Sequence, residues 1–260
     1  MRKLLTGALV ALSLTTQAQA AIQEEAVTYK DGDTTLNGFI VYDDAKKGKR
    51  PGIVVVHEWW GITKHTREEA RKFAAQGYTA FVADMYAGKT ADHPKDAGGL
   101  LKGLMGNPAV MQSRFNAARE QLAKHVTVNP KKIGASGYCM GGSVVINMAR
   151  AGADLKGVVA FHASLSMNTA APKSVKAKVL VLNGADDPFV KPEQIEALKK
   201  DMAAAKASYK FINYPGAVHA FTNPEATEKG KQFNLPLAYN AEVDKKAKAE
   251  AAKFFKAAFK

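Results

Sequence analysis

"KKIGASGYCMGGSVVINMAR", residues 131–150, changes character in its middle. Up to Ser136 it reads as a short buried strand, and from Met140 onward as a helix. The corner between them holds Cys139, the only cysteine of the chain, with Gly137 two residues before it and Gly141 two residues after. Glycines at those two places let a strand and the helix that follows it pass closely, which leaves the corner side chain exposed on a tight, strained turn. The backbone N–H of Met140 then lies at a helix N-terminus. There it is placed to hold an oxyanion, and the helix dipole favours a thiolate on Cys139. A glycine-x-cysteine-x-glycine match alone is weak. In a strand–turn–helix setting it marks a nucleophile, and the competing reading is an inert buried thiol.

Working outward, the same alternation recurs. "PGIVVVH" (51–57), "YTAFVAD" (78–84), "GVVAFHA" (157–163), "AKVLVLNG" (177–184) and "YKFINYPG" (209–216) read as strands. "TREEARKFAAQG" (66–77), the stretch from Ala109 to His125, "KPEQIEALKKDMAAA" (191–205) and the stretch from Ala238 to Lys260 read as helices. A hairpin over Val27–Tyr42 turns at Asp31-Gly32-Asp33, and Tyr86–Pro108 reads as an irregular insertion or cap. Strands alternating with helices predict an α/β fold around a mostly parallel central sheet flanked by helices. With no fixed-period repeat and no linker, residues 21–260 are expected to form a single domain.

Residues 1–20 carry the three regions of a secretory signal peptide in order. Arg2 and Lys3 start it, Leu4–Leu14 is apolar but too short to span a bilayer, and Ala18-Gln19-Ala20 is a small-x-small cleavage signature. Cleavage after Ala20 and a periplasmic or secreted location are the expectation. The formal charge of +13 falls to +11 without Arg2 and Lys3. The lysines are spread along the chain with no aromatic–basic interleaving, so they read as a solvated face and no nucleic-acid partner is expected. No later segment is long and apolar enough to suggest stable membrane insertion. Phe254, Phe255 and Phe259 near the C-terminus leave two readings, packing on the sheet or contact with a membrane surface.

A thiol nucleophile needs a base, and the base an orienting acid. In this fold class they follow in the order nucleophile, acid, histidine. "NGADDPFV" supplies Asp187 after one strand, with Asp186 as its rival, and "YPGAVHAF" supplies His219 after the last. In "VVHEWWGI" (55–62), Glu58 follows the strand expected to contribute the second oxyanion donor, for which the N–H of Trp59 is the candidate. A carboxylate at that corner lies close enough to influence the thiol. Trp59 and Trp60 are candidates for an aromatic substrate wall, and His57 for a residue lining the site. No histidine pair has zinc-ligand spacing, so neither metal nor cofactor is expected. The only partner expected is a small-molecule substrate.

These residues resemble the dienelactone hydrolase family of α/β-hydrolases, over nearly the whole chain from Pro51 onward. The resemblance rests on "HEWWG", "GYTAFVADMYAG", "GYCMGG", "GADDPFV" and "VHAF". It implies a Cys139–His219–Asp187 triad that hydrolyses a lactone or ester through an acyl-thiol intermediate. It also implies that Glu58 contacts the resting thiol and helps convert it to thiolate. Three departures stand out. The family's arginine after the aspartate-x-tyrosine-alanine segment is replaced by Gly88, and its arginine four residues past the catalytic histidine by Asn223. The glutamine that opens the family's glutamate segment is His57. The clamp for a substrate carboxylate is thereby missing, with Lys89 as a point-charge substitute. Tyr86, Lys89 and Asn223 join Trp60 and His57 as expected substrate contacts. A non-catalytic binding module retaining the fold is the alternative function.

Overall fold

The computed structural model describes residues 22–165, 170, 172 and 174–260; the expected signal peptide lies outside the described residues. In chain order the strands are β1 (Ile22–Asp31), β2 (Thr34–Asp43), β3 (Arg50–Val56), β4 (Thr79–Ala83), β5 (Val128–Tyr138), β6 (Gly157–Phe161), β7 (Lys178–Gly184) and β8 (Tyr209–Tyr214). The helices are α1 (Lys64–Ala75), α2 (Pro94–Met105), α3 (Pro108–Lys124), α4 (Met140–Arg150), α5 (Pro192–Ala204), α6 (Ala226–Phe233) and α7 (Ala241–Ala258). One eight-stranded sheet runs in the order β1-β2-β4-β3-β5-β6-β7-β8. The β1–β2 hairpin and the β2–β4 pair are antiparallel, and every pairing from β4 through β3 to β8 is parallel.

The unbroken apolar run in β3 has a direct cause. Successive side chains alternate between faces, and both faces are covered. Val54 and Val56 pack into the layer containing Phe115 of α3 and Val144 of α4, whereas Ile53 and Val55 pack into the layer with Phe73 of α1 and Phe255 of α7. Phe255 is fully buried, lies 5.7 Å edge-on to Phe73 and stacks on Phe259. Phe254 closes over Gly157, where an added Cβ would come 2.8 Å from its ring. These phenylalanines pack on the sheet, which overturns the membrane-surface reading for them.

Three sequence expectations need correction. The stretch read as irregular contains α2. His93 caps it by accepting the Lys95 N–H at 3.2 Å, and Pro94 occupies the first turn. Gly98, Gly99 and Gly103 hide this helix from propensity, each costing about 1 kcal/mol against alanine. Helix α6 was not anticipated. The last helix starts at Ala241, because Asn240 accepts the Val243 N–H at 3.1 Å and so fixes its N-terminus.

Candidate active site

The chemistry-bearing residues follow the C-terminal ends of the parallel strands, where this class of sheet holds its ligands. Glu58 follows β3, Cys139 follows β5, Asp187 follows β7 and His219 follows β8. Cys139 sits at φ 54°, ψ −117°, an unusual conformation for a residue with a Cβ. The flanking glycines make that corner possible. A Cβ on Gly137 would come 2.0 Å from the Gly141 carbonyl oxygen, and one on Gly141 would come 2.3 Å from the Val56 carbonyl oxygen. The start of α4 is thereby pressed onto the end of β3, beside Glu58 and Trp59.

His219 Nε2 lies 3.0 Å from Cys139 Sγ, and its Nδ1 lies 2.7 Å from Asp187 Oδ2. Asp187 Oδ1 accepts the Phe189 N–H at 2.9 Å, so the carboxylate is held from both sides. Its rival Asp186 faces away and accepts the Gly216 N–H at 3.0 Å. Burial disfavours the His219 imidazolium. The Cys139 sulfur, followed by Asp187, outweighs burial and pushes the His219 pKa up to about 10. The helix that follows has no side-chain cap, so the Met140 N–H remains available at its N-terminus.

A cavity of about 320 Å³ opens over this line. Cys139, His219 and Met140 form its floor, with walls from Trp59, Leu101, Phe189, Leu235 and Leu237. Ser164 and Gln194 supply the polar rim. Leu237 is tied to the histidine loop by a bridge to His219, and the Ala238 N–H donates to the His219 carbonyl at 3.2 Å. The cavity wall and the candidate base therefore share one loop system. Sequence reasoning missed Leu101, Ser164, Phe189, Gln194, Leu235 and Leu237. Only Phe189, an aromatic just after the Asp187-Pro188 turn and still 42% exposed, carried a readable signal.

The expected substrate contacts are not all brought to this cavity. Trp59 is on it; His57, Trp60, Tyr86, Lys89 and Asn223 are not. His57 is fully buried, with Nδ1 2.6 Å from the Glu58 carbonyl oxygen and Nε2 accepting the Met85 N–H at 3.3 Å. Both ring nitrogens are spent bracing the loop. Trp60 lies under the cap, 4.7 Å from Trp59 and 6.3 Å from Phe233 between ring centres. Tyr86 packs on His57 at 4.8 Å and borders a separate groove with Lys89, but its hydroxyl is near enough to Cys139 that burial first, and then the sulfur, push its pKa up. Lys89 thus does not stand in for the missing arginine at Cys139. Asn223 donates from Nδ2 to Glu58 Oε2 at 2.7 Å, so it anchors the buried glutamate. The thiol pairs with His219 and the glutamate with Asn223, and among the described residues no hydrogen bond joins Glu58 to the thiol, although the resemblance implies a contact there.

The sequence profile of the dienelactone hydrolase family matches residues 36–259. Among curated relatives, "Protein usf" of Aquifex pyrophilus is 28% identical over 84% of this chain and 96% of its own length. A putative carboxymethylenebutenolidase of Salmonella typhimurium is 30% identical over 68% of this chain and 70% of its own. Among solved structures, a dienelactone hydrolase-like promiscuous phosphotriesterase from metagenomic libraries superposes with a TM-score of 0.86. It is 31% identical, with 92% of this chain and all of that chain covered.

Proposed function

Because the chain belongs to the dienelactone hydrolase family and is an ester or lactone hydrolase, we propose that it acts through Cys139, His219 and Asp187 by way of an acyl-thiol intermediate. The observation that carries this reading is the unbroken line Cys139–His219–Asp187, with contacts of 3.0 and 2.7 Å, on the floor of an apolar cavity. The Cys139 proton passes to His219 Nε2, and the thiolate attacks the substrate carbonyl carbon. The oxyanion is received by the N–H groups of Met140 and Trp59. As the carbon–oxygen bond breaks, the His219 imidazolium gives its proton to the leaving oxygen. A thioester remains on Cys139. Neutral His219 then takes a proton from water, the hydroxide attacks the thioester, and the returning proton restores the thiol as the carboxylic acid product leaves. Asp187 holds the imidazole with Nε2 toward sulfur and stabilises its charge. Glu58, buried just after β3, is anchored by Asn223.

The apolar walls and the absence of the family's two arginines favour small neutral esters or lactones over carboxylated ones. Turnover of an ester and lactone panel by wild type, Cys139→Ala and His219→Ala tests the mechanism. Both variants should fall at least a thousandfold while keeping the wild-type circular dichroism, since members of a catalytic unit fail together. Cys139→Ala retaining a tenth of the wild-type rate would remove the nucleophile assignment. A non-catalytic module would show no thiol-dependent turnover in any variant. Residues 1–20 support export, with a mature N-terminus at Ala21 and work in the periplasm or outside the cell. Mass spectrometry of the product from a Gram-negative host checks this, and a soluble product retaining Met1–Ala20 would refute it.

A further inference from the structure

His162 is a buried histidine that the hydrolytic steps above do not use. It is fully buried at the end of β6 and sits at φ 38°, a left-handed conformation that a side chain rarely adopts. Its neighbour across the sheet is Cys139, itself at a positive φ. The Cys139 N–H donates to the Phe161 carbonyl at 3.0 Å and to His162 Nδ1 at 3.1 Å. Accepting at Nδ1 requires that a neutral His162 carry its proton on Nε2. That Nε2–H points to Thr222 Oγ1 at 2.8 Å. Thr222 is buried, and its own proton is left to donate to His65 Nε2 at 3.3 Å. His65 Nδ1 then faces the Glu69 carboxylate at 3.9 Å. Glu69 accepts the Tyr138 hydroxyl at 3.0 Å, and Tyr138 is the residue before Cys139. The hydrogen-bonded path leaves the nucleophile through its N–H and runs through His162 and Thr222 to His65, whose Nδ1 lies 3.9 Å from Glu69, beyond hydrogen-bond reach.

We propose that His162 is a positioning residue: its Nδ1 accepts the Cys139 N–H and holds the strained elbow, while its Nε2–H is anchored on Thr222 Oγ1. The proposal rests on the triad reading for its consequence in catalysis, but not for its geometry. Two further observations support it. The His162 and His219 rings lie 5.4 Å apart, so a charged His162 would oppose the imidazolium. Burial first, then the nearby His219 and His65, hold the His162 pKa well below the usual histidine range, and Lys248 acts in the same direction. The titratable groups facing it are thus His219, His65, Tyr138 and, further out, Lys248 and Glu69. Because the Cys139 N–H is already committed to His162 and Phe161, oxyanion binding falls to Met140 and Trp59.

Losing the Thr222 hydroxyl leaves the buried His162 Nε2–H without its acceptor and frees the ring to move away from the Cys139 N–H. Thr222→Val keeps the shape and removes the hydroxyl; Thr222→Ser keeps the hydroxyl. The expected result is a tenfold or larger fall in kcat for Thr222→Val, KM within twofold of wild type, and an altered pH profile of kcat. Thr222→Ser should recover most of the loss. Nitrogen-15 NMR of the His162 ring supplies the second measurement. It should report a neutral Nε2–H imidazole near pH 7 in the wild type and in Cys139→Ala, which keeps the backbone N–H. In Thr222→Val the Nε2–H signal should lose its hydrogen-bond shift while Nδ1 stays unprotonated. A protonated or Nδ1–H ring in the wild type, or equal kcat for Thr222→Val and Thr222→Ser, overturns the proposal. The tautomer is read without turnover, so failure of the triad reading would appear separately, as retained activity in Cys139→Ala.

Discussion

Substrate charge is the property that the cavity decides most sharply. Its walls are Trp59, Leu101, Phe189, Leu235 and Leu237, and among the described residues no lysine or arginine lines it. A carboxylate placed there would give up water for carbon. A hydrogen bond to a charged group contributes about 1.5–3 kcal/mol, so lacking one such partner lowers kcat/KM about 10- to 150-fold. The formal charge of +13 does not reverse this, because a diffuse field speeds encounter without gripping the bound anion. The assay compares a carboxylated dienelactone with a neutral ester of similar size, at two salt concentrations. The neutral ester should win by tenfold or more at both. Leu101→Arg, which places a cation on the wall, should shift the ratio at least tenfold toward the carboxylated substrate. If the wild type prefers the dienelactone by tenfold, the reasoning from cavity lining to specificity is wrong.

Gly141→Ala drives a Cβ to within 2.3 Å of a backbone oxygen that no rotamer change can move. A cost of about 2 kcal/mol or more is expected, or about 4–8 °C or more in Tm for a chain of this size, measured by thermal melting. The pH dependence follows from His219, whose pKa rises from 6.5 to about 10 on folding. A raised cationic group stabilises the fold fully below about pH 6.5 and ceases to as pH passes about 10. Tm should therefore fall between pH 8 and 11 more steeply in wild type than in Cys139→Ala, which lacks the largest contribution raising that pKa. Parallel slopes would contradict the coupling.

The strand ends were legible because each is a short apolar run closed by a residue of distinct chemistry. Cys139 stood out through glycine spacing, and the structure supplies the reason: at both flanking glycines a Cβ would strike backbone. The walls were not legible. Leu101, Phe189, Leu235 and Leu237 come from three separate segments, and only tertiary packing brings them together. His57 was misplaced because nearness in sequence to Glu58 says nothing about direction. Its ring turns into the core to meet Met85 while the chain beyond it turns toward Cys139. Lys89 follows Gly88 directly yet faces a different groove. His162 carried no signal at all, since its role depends on a hydroxyl sixty residues away at Thr222.

Helix α2 gives the pocket an uneven rigidity. Leu101 hangs on a segment where Gly98, Gly99 and Gly103 have open space around their missing side chains, so nothing steric requires glycine there. At about 1 kcal/mol each, they leave the segment about 3 kcal/mol less stable than an alanine counterpart. Its amides should exchange with solvent through local openings far more often than those of the sheet beneath. A floor pinned at the elbow beside a wall that opens more readily would let one set of reacting groups meet a range of substrate shapes. Adaptation to a new substrate can begin in α2 without disturbing the elbow.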